Sequence, residues 1–155
     1  MAIIVDSEDI VRHDIESSTR LATRQGESLM NTATWIVQGL LALALLGAGA
    51  MKLIKSRKDL ISSGAAMAWA EDFSDGGVKL IGLLEVVAAV GLVLPWAFQV
   101  APALTPLAGA GAALLMLGAV VVHLRRRESK AIGGPVLLAL LGVFVVVSRF
   151  GIVGS

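Results

Sequence analysis

Glu85 is an acid set inside an otherwise apolar run, GLLEVVAAVGLVLP. A carboxyl in such a place is costly unless it faces other helices or a wet cavity. Two roles are open to it. It can serve the fold, hydrogen-bonding another helix or pairing with Lys52, or it can carry a proton or hold a ligand. Gly82, Glu85 and Ala89 fall on one helical face, where small residues let a second helix come close. His123 closes another apolar run, just ahead of Arg125, Arg126 and Arg127. A histidine there is an interface residue first and a ligand or proton donor second. Its face, Ala108, Ala112, Met116, Ala119 and His123, has the three-and-four spacing of a helix-packing stripe. Lys52 closes the first apolar run, and Trp69 lies in the charged segment after it. In helices of alternating direction, Lys52, Glu85 and His123 share one half of the bundle. With Trp69 they form the candidate polar cluster. Arg149 comes about fifteen residues into the last run. It is therefore expected at the opposite end, snorkelling to lipid phosphate.

Membrane-spanning helices are needed to position these residues. Hydrophobic residues are 56% of the 155 and charged ones 16%, with a mean hydropathy of +0.82. That leaves too little polar surface for a water-soluble domain. A helix needs about 20 apolar residues to cross roughly 30 Å of hydrocarbon. No formal charge occurs between Glu85 and Arg125, a stretch too long for one span, and Pro95, Pro102 and Pro106 divide it. Unsatisfied backbone in lipid is so costly that each run should be helical. The expected fold is all-α: an integral membrane four-helix bundle with spans at about 33–52, 78–95, 104–124 and 134–151. Leu60, Ile61, Met67, Trp69 and Phe73 add a short interfacial helix between spans one and two, either an anchor or a lid over the polar cluster.

Nine of the thirteen Lys and Arg residues lie in the two loops after spans one and three, and none lies in the loop after span two. By the positive-inside rule the basic loops are expected in the cytoplasm and both termini outside. Trp35 and Trp96 then fall at the outer interface and Trp69 at the inner one, as aromatic anchors. Arg125, Arg126, Arg127 and Arg149 are assigned to contact with membrane lipid. Three arginines beside a membrane helix are an anchor rather than a nucleic-acid surface. Residues 1–29 form a polar tail with six acids, and 30–155 the membrane domain. The tail has no basic start followed by an apolar segment and cleavage site, so it does not read as a secretory signal. It is either disordered or a short helix capped by Asp6 or Ser7 and running to about Arg24, with Val11, Ile15 and Ala22 on one stripe. The abrupt change of composition also raises translation from Met30 as an alternative start.

There is no cysteine, which excludes disulfides, thiol relays and thiolate metal sites within the chain. His13 lies in the tail, so a single chain cannot supply two transmembrane imidazoles to a haem. No metal-ligand set, nucleotide-binding glycine pattern or internal repeat is apparent, and no cofactor is expected within the chain itself.

The string MAWAEDFSDGGVKLIGLLEVVAAVGLVLP, from Met67 to Pro95, resembles the second-span signature of DoxX-like membrane proteins. Ala50-Met51-Lys52-Leu53, the MLGAVVVHLRRRE string of 116–128 and Ser148-Arg149-Phe150 fit the same family. The resemblance covers residues 34–150. It implies a four-helix protein of the bacterial cytoplasmic membrane, with Lys52, Trp69, Glu85, His123, Glu128 and Arg149 at its recurrent polar and aromatic positions. It further implies an accessory or anchoring subunit of a quinone-linked redox complex, with quinone bound together with a soluble oxidoreductase partner. A homo-oligomer is a further expectation. The alternative reading is a small proton-coupled transporter or lipid-handling protein with Glu85 as its gate. Enzyme activity of the isolated chain is not expected under either reading.

Overall fold

The computed structural model describes residues 7–153. Among these the chain is built from helices: α1 (Ser7–Ile54), α2 (Arg57–Ser62), a 3-10 segment (Ala65–Asp72), α3 (Asp75–Ala97), α4 (Leu104–Arg125), a short 3-10 turn (Ser129–Ala131) and α5 (Gly133–Val153). Four helical stretches are long and apolar enough to cross a membrane. The protein is a multi-pass membrane protein.

Residues 1–33 and 34–155 form two compact units. In the first, Asp6 lies outside the described residues, and the helix expected to stop near Arg24 is the beginning of α1. Val11 and Ile15 of the proposed stripe are 57% and 62% exposed, so within this unit the stripe buries nothing.

In the second unit the spans meet through small residues. A methyl added to Gly82 would lie 2.8 Å from Lys52 Cβ and 2.9 Å from the Gly49 carbonyl oxygen. A methyl on Gly142 would lie 2.8 Å from the Gly109 carbonyl oxygen. Only glycine permits backbones this close, and that closeness is what holds helices together where lipid supplies no hydrophobic drive. The glycine crossing of α1 and α3 also brings Lys52 to the level of Glu85. Between the ends of the bundle, Leu41, Leu45, Leu92, Ala112, Met116 and Val145 form a buried layer. The expected packing faces agree: Gly82, Glu85 and Ala89 are buried on α3, and Ala112, Met116 and His123 on α4.

A short helix lies between the first two spans. Ser56 caps α2, its hydroxyl accepting from the Asp59 N–H at 3.2 Å, and Ser74 caps α3 by accepting from the Gly77 N–H at 3.1 Å. Two orphan donors are thereby satisfied at the turns into these helices. The apolar residues of the connection face the bundle. Leu60, Trp69 and Ala70 are buried with Val78, against Met51, Met67, Phe73 and Val122. Trp69 is thus a core residue of this layer, not an interface anchor. Packing against α3 and α4 removes more of the indole from water than lying on the bilayer surface would.

Candidate functional site

Lys52, Trp69, Glu85 and His123 all line one cavity of about 460 Å³. Its walls come from α1, the 3-10 segment, α3, α4 and the start of α5, and most are apolar, among them Leu45, Phe73, Ile81, Met116 and Leu138. The Lys52 ammonium donates to both oxygens of Glu85, at 2.9 and 2.7 Å. Both side chains are buried. A pair removed from water this fully holds together because each charge is the other's replacement for solvent. The same ammonium lies 5.6 Å from the centre of the Trp69 ring, within range of a cation–π attraction. Phe73 meets Trp69 edge to face at 5.6 Å, which fixes the plane of the indole.

His123 joins the cavity from α4 and is tied to the basic loop behind it. Its Nδ1 lies 2.7 Å from Glu128 Oε2, which assigns that nitrogen to the carboxylate and leaves Nε2 for another partner. Glu128 also accepts from Arg126 Nε at 2.7 Å. Arg126 then reaches back to the 3-10 segment, donating to Asp72 at 2.6 Å and to Glu71 at 3.0 Å. The Arg126 guanidinium, and after it His123, hold the Glu128 carboxyl below its ordinary range. Glu128 and Glu71 hold the Arg126 guanidinium in its charged form even more firmly than usual. Arg57 grips the same segment by donating to the Ala70 and Glu71 carbonyls, both at 2.9 Å. The segment carrying Trp69 therefore has apolar contacts inside and charged clamps outside.

Two of the four arginines assigned to lipid stand elsewhere. Arg149 is 0% exposed. Its Nε donates to Gln38 Oε1 at 3.0 Å, and its guanidinium lies 4.2 Å from the Trp96 ring and 5.1 Å from that of Trp35. Depth along α5 suggested snorkelling, but two indoles and an amide from α1 and α3 enclose the side chain first. The same contacts correct the reading of Trp35 and Trp96 as interface anchors: both are half-buried against a cation. Arg126 serves carboxylates, because three of them converge on it. Arg125 and Arg127 are exposed.

The residues 36–145 match the model of the DoxX-like family. The chain belongs to the DoxX-like family. No curated protein and no solved structure matches it. In this DoxX-like chain the matched region contains Lys52, Trp69, Glu85, His123 and Glu128, while Arg149 lies just beyond it. The sequence placed Gln38, Glu71 and Asp72 in no site, and Glu128 was marked by the family resemblance alone. Gln38 did leave a signal, as a lone amide in the apolar run of the first span. Glu71 and Asp72 left none, since a charged loop is ordinarily a solvated one. Among the described residues no three His, Asp or Glu side chains come together as metal ligands.

Proposed function

We propose that this chain is an accessory subunit of a quinone-linked redox complex in the bacterial cytoplasmic membrane, and that its cavity receives the quinone headgroup. The observation that carries the reading is the cavity itself: about 460 Å³, apolar along its walls, with Lys52, Glu85, Trp69 and His123 gathered at it. Ligand sites have this character, a mostly apolar concavity with a few polar groups that orient the ligand. A quinone offers a flat ring and two carbonyl acceptors. Lys52 is a donor suited to those oxygens and the free His123 nitrogen a second polar contact, Trp69 is a surface for the ring, and Glu85 is the counter-ion that holds Lys52 in place. When bound, a quinone supplies two-electron chemistry, and the electrons come from a soluble oxidoreductase partner. The loops rich in Lys and Arg face the cytoplasm in this reading, where that partner would dock.

A transporter needs a route to the other face. Buried Leu41, Leu45, Leu92 and Ala112 fill the bundle beside the cavity, which counts against the proton-coupled alternative. The test uses the full chain in nanodiscs, with a photoreactive short-chain quinone as probe. Labelling is expected on the segments around Trp69 and His123, to be competed by unmodified quinone and lost in the Glu85→Gln, His123→Ala double variant. Unchanged labelling of that variant would remove the site.

A further inference from the structure

His123 meets the cavity with one nitrogen already committed. It is a wall residue of that cavity, and its Nδ1 lies 2.7 Å from Glu128 Oε2. Glu128 stands outside the cavity walls, so this contact turns the other side of the imidazole towards the space. Among the described residues Nε2 has no hydrogen-bond partner. What Nε2 can offer follows from what Nδ1 must do. The Glu128 carboxyl also accepts from Arg126 Nε at 2.7 Å. That guanidinium, and His123 after it, hold the carboxyl below its ordinary range. An ionised carboxylate can only accept. Nδ1 therefore carries the proton, and in the neutral imidazole Nε2 is left with a lone pair.

The other polar wall is not one-sided in this way. Lys52 supplies N–H donors and Glu85, 2.7 Å away, a carboxylate acceptor, and both line the cavity. A ring carbonyl finds a donor there, and a ring hydroxyl finds both a donor and an acceptor. That wall accepts either form of the ring. His123 does not. A carbonyl set against Nε2 brings two lone pairs together, whereas a hydroxyl donates to it. Resting on the quinone reading, we propose that the cavity prefers the reduced ring, a hydroquinone, with one hydroxyl donating to His123 Nε2. Glu128 is the positioning residue that fixes the tautomer. The reduced ring is the form that electrons from a partner would leave in the cavity.

A single substitution should invert the preference. Glu128→Gln replaces two acceptor oxygens with one oxygen and one NH2 group. Arg126 Nε only donates, so the oxygen turns to it and the NH2 group turns to Nδ1. Nδ1 must then accept, and the imidazole proton moves to Nε2, which becomes a donor to the cavity. The test uses the full chain in nanodiscs, in anaerobic and mildly alkaline buffer, where imidazole is in its neutral form. The probes are a short-chain benzoquinone and its hydroquinone, with calorimetry giving a Kd for each. The unsubstituted chain should bind the hydroquinone about tenfold more tightly, the effect of leaving one buried acceptor unsatisfied. Glu128→Gln should reverse the order, and Glu128→Ala, which frees the tautomer, should bring the two affinities together. The same order of affinities in the unsubstituted chain and in Glu128→Gln would overturn the inference and leave the quinone site standing. If neither probe binds the unsubstituted chain, the quinone reading fails and this inference with it.

Discussion

At one end of the membrane unit a lysine and a carboxylate neutralise each other beside a cavity. At the other, a guanidinium is held between two indole faces and a glutamine. The first arrangement is concentrated in one ion pair, Lys52 donating to both oxygens of Glu85 at 2.9 and 2.7 Å. Glu85 leans on Lys52 for its counter-charge, while Lys52 also has the Trp69 ring and the Ala48 carbonyl within reach. The second is distributed: Arg149 of α5 is shared by Trp35 and Gln38 of α1 and Trp96 of α3. A concentrated pair can be opened by one competing ligand or one proton, which suits a site. A distributed cage resists any single change, which suits a place where helices are fastened.

Lys52→Met should break this contrast most severely. It leaves Glu85 buried without its cation, a loss of about 3–5 kcal/mol, and the double variant Lys52→Met, Glu85→Leu should recover most of it. Unfolding in mixed micelles measures both; a double variant no more stable than the single would mean the pair is not the concentrated element described. Next is the glycine that lets the pair form. Gly82→Ala places a methyl against Lys52 Cβ and the Gly49 carbonyl, neither of which can swing aside. A cost of about 3 kcal/mol is expected, the upper part of the range for overpacking.

At the distributed end the effects should be smaller and graded. Trp96 lies nearer the guanidinium than Trp35 does, 4.2 against 5.1 Å. Trp96→Leu should therefore cost about 2 kcal/mol, and Trp35→Leu less. Equal losses would argue against the cation–π part of the cage.

The smallest expected effect sharpens a different boundary, between the cavity and the loop network behind it. The Glu128 carboxyl is held below its ordinary range by Arg126 and then His123. A depressed folded-state value means stabilisation that is complete above the unfolded carboxyl's range and disappears as pH falls through the folded value. Hydrogen exchange in the segment Ala65–Asp72, corrected for its intrinsic pH dependence, should stay constant from neutral pH down to the ordinary carboxylate range. It should rise progressively from there and level off once pH lies below the depressed folded value. Arg126→Ala, which cuts the links to Glu71, Asp72 and Glu128, should give fast exchange throughout. A rise beginning near neutral pH would place the control on a group other than Glu128.

The cavity cluster was legible in the residues because hydrophobic patterning constrains depth. Lys52, Glu85 and His123 each sit near an end of an apolar run, and alternating helices must bring those ends to one level. The pairing of Glu85 with Lys52 followed as one of its two open roles. The fate of Arg149 was not legible. Depth was inferred correctly as the opposite end, but whether a side chain there meets lipid or protein depends on which faces of α1 and α3 turn toward α5. Trp35 and Trp96 look the same in sequence whether they anchor in headgroups or stack on a buried cation. The loop residues posed a similar problem: Glu71, Asp72 and Glu128 become a network only because Arg126 comes within reach of all three.

The linear sequence, then, determined the number of spans, the polar residues each must carry and the end of the bundle at which each one lies. These follow from composition and length, since only a helix satisfies its own backbone in hydrocarbon. The tertiary structure decided the partners. Glycine contacts between Gly49 and Gly82, and between Gly109 and Gly142, fix how the helices rotate against one another. That rotation makes Lys52 a counter-ion and Arg149 the centre of a cage. Rotation about a helix axis leaves hydropathy unchanged, so only packing could choose it.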